Sequence, residues 1–160
     1  MKRIIFILSI IFLICRCSYS DAFLVSIAIT EGEKSKDSWS SNTSISISGN
    51  TLSYVKSFNG SIKRNNDSIE KICNLTNKQV AEIQSIIKNN NLLASDSIED
   101  TDSKYKSYEH FINIAADIVL EEKVSRIRIN GDISGMRDKD LYINCNKLIY
   151  LIQDYVEKCK

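Results

Sequence analysis

The sequence contains no proline, where average usage of about 5% would place roughly eight in a chain of 160 residues. Its turns must therefore come from residues that tolerate unusual backbone angles, chiefly glycine and asparagine. Histidine is almost as scarce: His110 is the only one. A hydrolytic triad needs an imidazole to take the nucleophile's proton, so a catalytic reading rests on His110 with its neighbour Glu109, or on a thiol such as Cys73. The sequence has no Gly-x-Ser-x-Gly elbow and no glycine-rich loop ahead of a helix to cradle a phosphate. One histidine and no Cys-x-x-Cys pair leave too few ligands for zinc, and no cofactor or metal is implied.

Net charge is also small, +1 from 21 basic and 20 acidic residues. That balance gives no electrostatic reason to expect nucleic acid or an anionic lipid surface as partner. The acidic run Asp96, Glu99, Asp100 and Asp102 fails as an EF-hand loop, because Lys104 and Tyr105 fall at its fifth and sixth positions. Arg126 and Arg128 share one strand face and read as solvated. The Asn-x-Ser/Thr sequons at Asn42, Asn59, Asn66 and Asn74 are near chance in a chain so rich in Asn and Ser.

What is present begins at the amino end. Met1-Lys2-Arg3 precedes an apolar run from Ile4 to Cys15 that only Ser9 interrupts, with small residues at Ser18 and Ser20. A helix of roughly 12 residues covers about 18 Å, short of the ~30 Å bilayer core. These are the parts of a cleavable Sec-type signal peptide over residues 1–20, which sends the chain to the periplasm or the exterior. Cys15 and Cys17 stand where a lipoprotein carries its acylated cysteine. The residues before them, Ile14 and Arg16, are not the small ones that processing requires, so export without lipidation is the favoured reading. Residues 21–160 are then expected to form a single domain without a transmembrane helix.

Three cysteines survive processing: Cys73, Cys145 and Cys159. Cys145 and Cys159 fall on one expected helix, 14 positions or about 21 Å apart, and a disulfide needs Cα atoms within about 7 Å. Any bridge therefore uses Cys73. Cys73–Cys145 and Cys73–Cys159 both stay open, beside the alternative of three buried thiols.

Strict alternation marks Phe23–Thr30 and Ser44–Ser48 as strands. Gly49-Asn50 suits a two-residue hairpin into Thr51–Phe58, and Asn59-Gly60 suggests a short further strand, Ser61–Arg64. Thr76 and Gln79 are spaced as a capping box, with Leu75 and Val80 as its staple; Val80, Ile83, Ile86 and Ile87 form the helix stripe that ends at Asn89–Asn91. Ala94–Tyr108 reads as a loop. Phe111–Leu120 and Lys123–Asn130 read as a hairpin about Glu121-Glu122, and a helix with one apolar face runs from near Asp138 or Asp140 to Cys159. The expectation is an α+β fold: an antiparallel sheet of about five to six strands with two amphipathic helices packed on one face.

Functionally, the residues favour an exported, small, non-catalytic domain, a protein-binding (inhibitor or immunity-type) or envelope protein. The candidate binding residues are Trp39, placed in a polar loop from Glu31 to Asn42, with Tyr105 and Tyr108 in the second long loop. Aromatics on loops are common anchors of protein-binding surfaces. The alternative is a small secreted hydrolase using His110 with Glu109, or the Cys73 thiol.

Overall fold

The computed structural model describes residues 22–33, 38–60, 68–99 and 110–159. The expected signal peptide with Cys15 and Cys17, the suggested strand Ser61–Arg64, Glu109, Tyr105 and Tyr108 lie outside the described residues. In chain order the elements are β1 (Leu24–Glu33), β2 (Trp39–Ser48), β3 (Thr51–Gly60), β4 (Ile69–Asn74), α1 (Asn77–Asn89), β5 (Asp96–Glu99), β6 (His110–Leu120), β7 (Lys123–Asp132), α2 (Ile133–Met136) and α3 (Asp140–Lys158).

The strands form one sheet in the order β4-β3-β2-β1-β6-β7-β5. Every pairing is antiparallel except β5 with β7. The fold is thus α+β as expected, but with seven strands and three helices among the described residues. Each surplus element has a physical reason for escaping the sequence pattern. β4 points Ile69, Lys71 and Cys73 toward the helices while Ile72, on the other face, is 68% exposed, so its alternation is inverted at its most apolar residue. β5 is four residues long and acidic, and only Ile98 packs on the core. α2 is a single turn, too short to show a period.

Helix α1 begins where the sequence places it. The Gln79 amide donates to Thr76 Oγ1 (3.3 Å), and the Thr76 amide donates to Gln79 Oε1 (2.8 Å). Its far end closes as a Schellman motif: the Leu92 amide bonds the Ile87 carbonyl and the Asn91 amide the Lys88 carbonyl, with Asn91 at φ 55°. Between these ends α1 crosses the sheet from the β4 edge toward the β5 edge, so β5 arrives at the opposite edge and joins parallel to β7. The inward residues of the strands, among them Ile27, Ile45, Leu52, Ile114 and Ile127, form one core with Ile83 and Ile87 of α1 and with Leu148, Ile149 and Ile152 of α3. Each such side chain contributes about 1.5–3 kcal/mol by leaving water.

Of the two bridges left open, the structure contains Cys73–Cys159, with Cα atoms 5.9 Å apart and 86 positions between them in sequence. Cys159 follows the last turn of α3 in an extended conformation (φ −72°, ψ 123°), which turns its side chain toward β4. Lys71 of β4 reinforces the junction by donating to the Val156 carbonyl (3.0 Å) and the Cys159 carbonyl (3.5 Å), where the helix dipole favours a cation. Cys145 is buried and unpaired, and burial pushes its thiol up to about 12.

Candidate binding site

The two ends of the sheet differ in kind. At one end the chain reverses in two-residue turns. Gly49-Asn50 joins β2 to β3 with Gly49 alone at positive φ (57°), and Glu121-Glu122 joins β6 to β7 with both glutamates there (50° and 65°). At the other end Glu33 pairs with Trp39 on one side and His110 on the other, Trp39 pairs with Gly60, and Phe111 with Asp132. The connections 34–37, 61–67 and 100–109 all join strands at or near this second end.

The period-2 rule carries the helix-facing rows onward to this end. The row that is Val25, Ile27 and Ile29 in β1 continues as Glu31 and Glu33. In β2 it ends at Ser41 and Trp39, in β3 at Lys56 and Phe58, and in β6 at Ile112 and His110. The face that is apolar beneath the helices thus turns polar and aromatic at its margin. Ser41, 1% exposed, donates to Glu31 Oε1 (3.0 Å). Lys56 lies 3.9 Å from the same oxygen and 4.9 Å from the centre of the Phe58 ring, a cation over an aromatic face beside a carboxylate.

Next to that group, the Trp39 indole N–H donates to Glu33 Oε2 (3.2 Å), and His110 Nδ1 stands 3.9 Å from the same oxygen. Glu33, Trp39, Ser40, Asn59, Gly60 and Phe111 line a shallow cleft of about 420 Å³ open to solvent. Gly32 makes the cleft wall feasible. A Cβ there would run into the Trp39 carbonyl and come within 2.8 Å of the Phe111 ring, so only glycine lets the ring lie across this strand. On the neighbouring strand Asp132 caps α2 by accepting from the Ser134 amide (2.8 Å), and the Ser134 hydroxyl is the main reason its carboxyl sits below the usual range.

The structure corrects one placement and sorts the rest. Trp39 is not in a loop: it opens β2, since β1 and β2 run on through the polar stretch to Glu33 and from Trp39. It remains 40% exposed, as does Phe58. His110 joins Trp39 at the same margin. Cys73 is far from both, and its sulfur is bonded to Cys159, so it offers no thiol nucleophile in this form. Arg128 is ion-paired with Asp117 (2.9 Å) rather than free on its strand face. Sequence reasoning missed Glu33, Phe111 and the Glu31–Lys56–Phe58 group. The signal for the first was present: extending the β1 alternation past Thr30 puts Glu33 in the same row as Ile29.

Among known proteins, no family model matches this chain, and no curated sequence aligns with it significantly.

Proposed function

We propose that this protein is an exported, non-catalytic binding module, an inhibitor or immunity-type partner of another protein, and that it engages that partner through the sheet end carrying Trp39. The observation that carries the reading is the state of Trp39. The sole tryptophan is held 40% exposed by its hydrogen bond to Glu33, with exposed Phe58 on the adjoining strand. Tryptophan is among the residues most enriched at interface centres, and a ring already fixed in place loses little conformational freedom on binding. Export is supported by the amino-terminal pattern and by the Cys73–Cys159 bridge, because such bonds persist in oxidising compartments.

The test is affinity capture from extracts of the native cell and its medium, using residues 21–160 in wild-type form and as Trp39→Ala, with mass spectrometry of what is retained. A partner held by the wild type and lost by Trp39→Ala is the expected outcome. Retention unaltered by both Trp39→Ala and Phe58→Ala would refute the reading.

A further inference from the structure

Glu33 ends the middle one of three adjacent strands, with Trp39 on β2 to one side and His110 on β6 to the other. All three side chains lie on the helix-facing side of the sheet, because each continues the inward row of its strand. Both neighbours address the same atom. The Trp39 indole N–H donates to Glu33 Oε2 at 3.2 Å, and His110 Nδ1 stands 3.9 Å from that oxygen, an ion pair only when the imidazole is protonated. A carboxylate that swings toward β6 draws away from β2. The other charged groups around the ring are committed elsewhere. Glu31, two positions back in the same row, holds Ser41 and Lys56. Asp132 of β7 accepts from the His110 backbone amide and from the Ser134 amide. The single turn α2, packed on β6, has no charged side chain from Ile133 to Met136. The imidazole is 55% exposed, so protons reach it from solvent without any opening of the fold.

Taking the protein-binding reading above as its premise, we propose that His110 sets the freedom of Trp39 according to pH and so gates the binding surface. Neutral, the imidazole leaves Glu33 to the indole, which stays fixed. Protonated, its Nδ1–H takes Oε2 in a bond with both partners charged, where the indole bond has only one. The carboxylate then shifts toward β6 and the indole loses its acceptor. A tryptophan released in this way must be ordered again on binding, so affinity falls as the solution turns mildly acidic.

Tryptophan and histidine each occur once in the chain, so each gives a single, unmistakable signal. We would follow nitrogen-15-labelled residues 21–160 by NMR from about pH 8 to about pH 5, the range in which imidazole is the ordinary side chain to change charge. The indole N–H resonance should move upfield, as a weakened hydrogen bond requires, with the same midpoint as the His110 ring protons in the same sample. His110→Gln should abolish this movement. Glu33→Gln still offers the indole an acceptor but no charge to the imidazolium, and should abolish the movement while His110 continues to titrate. An indole resonance that stays constant while His110 titrates would overturn the proposal, as would one that moves equally in His110→Gln. A partner captured as above should bind about two- to tenfold less tightly at about pH 5.5 than at about pH 7.5, the scale of ordering one free side chain. A pH dependence equal in wild type and His110→Gln would overturn the gating. The two readings fail separately. The indole movement needs no partner, so its absence removes this inference and leaves a Trp39-dependent binding module standing, whereas a partner indifferent to Trp39→Ala removes the module and leaves the indole result intact.

Discussion

Replacing both bridge cysteines, as Cys73→Ala/Cys159→Ala, tests how far the covalent tie supports the fold. The bridge closes a loop with a sequence separation of 86. In the chain-entropy account, a loop of that size restricts the unfolded ensemble by about 4.6 kcal/mol at 25 °C. Truncating two sulfurs at a site where Cys73 is 5% exposed adds a small packing loss, while the Lys71 contacts to the Val156 and Cys159 carbonyls survive the change. A domain of this size has roughly 5–15 kcal/mol in total, so the variant should lose about a third or more of its stability. The corresponding fall in Tm is about 15 °C. Urea unfolding followed by far-ultraviolet circular dichroism reads this directly. The slope against urea should also steepen, because an untied chain exposes more surface when it unfolds. A loss below about 1 kcal/mol with an unaltered slope would refute the argument. As an internal control, thiol titration of unfolded residues 21–160 should find one reactive thiol before reduction and three after.

Three further outcomes follow from individual side chains. Tyr155 donates to Glu82 Oε2 (2.6 Å), and burial, then that bond, raises its phenol well above the ordinary value of 10; burial likewise raises Tyr54. A raised phenol favours the folded state below the unfolded value of about 10, and that contribution is lost as pH climbs through the folded value. In an alkaline titration these two tyrosines should therefore ionise after the others and together with unfolding, and Tyr155→Phe should remove part of the late phenolate absorbance; early, independent ionisation would contradict this. Glu122 sits at φ 65° in a two-residue turn, so Glu122→Gly should stabilise the protein by about 1 kcal/mol in urea unfolding. Cys145, its thiol pushed up to about 12, should resist alkylation at pH 8 until the protein is unfolded, and rapid native labelling detected by mass spectrometry would show the site to be open.

Where the sequence carried its own local chemistry, the fold was readable. The Thr76–Gln79 box and the asparagines that stop α1 satisfy backbone groups within a few residues, so no distant partner is needed to recognise them. The choice of Cys73 for any bridge followed from helix geometry alone, but its partner did not: Cys159 was reachable only because it lies past the helix end, a feature set by the docking of α3 on β4. β4 and β5 were unreadable for the same reason, since their pairing comes from strands remote in sequence and their own residues barely alternate. Trp39 was recognised as a residue of interest and misplaced in context. The β1–β2 ladder runs through serines, threonine and glutamates whose polarity resembles a loop, and tertiary pairing overrides that composition. Phe111 was beyond reach, because its role depends on Gly32 being bare on the adjacent strand.

The amino end of the described chain emerges at the tight-turn end, where the Phe23 carbonyl accepts from the Gly49 amide (3.0 Å). β1 then runs ten residues, roughly 33 Å at the usual strand rise, before reaching Glu33. Whatever is joined ahead of Ala22, whether a fusion partner, an immobilisation tag or a surface, sits about that far from the cleft and on the opposite side of the molecule. A biosensor that captures this protein by its amino end would present the aromatic margin outward, whereas lysine-directed coupling, through amines as exposed as those of Lys158 and Lys88, would hold the protein in mixed orientations.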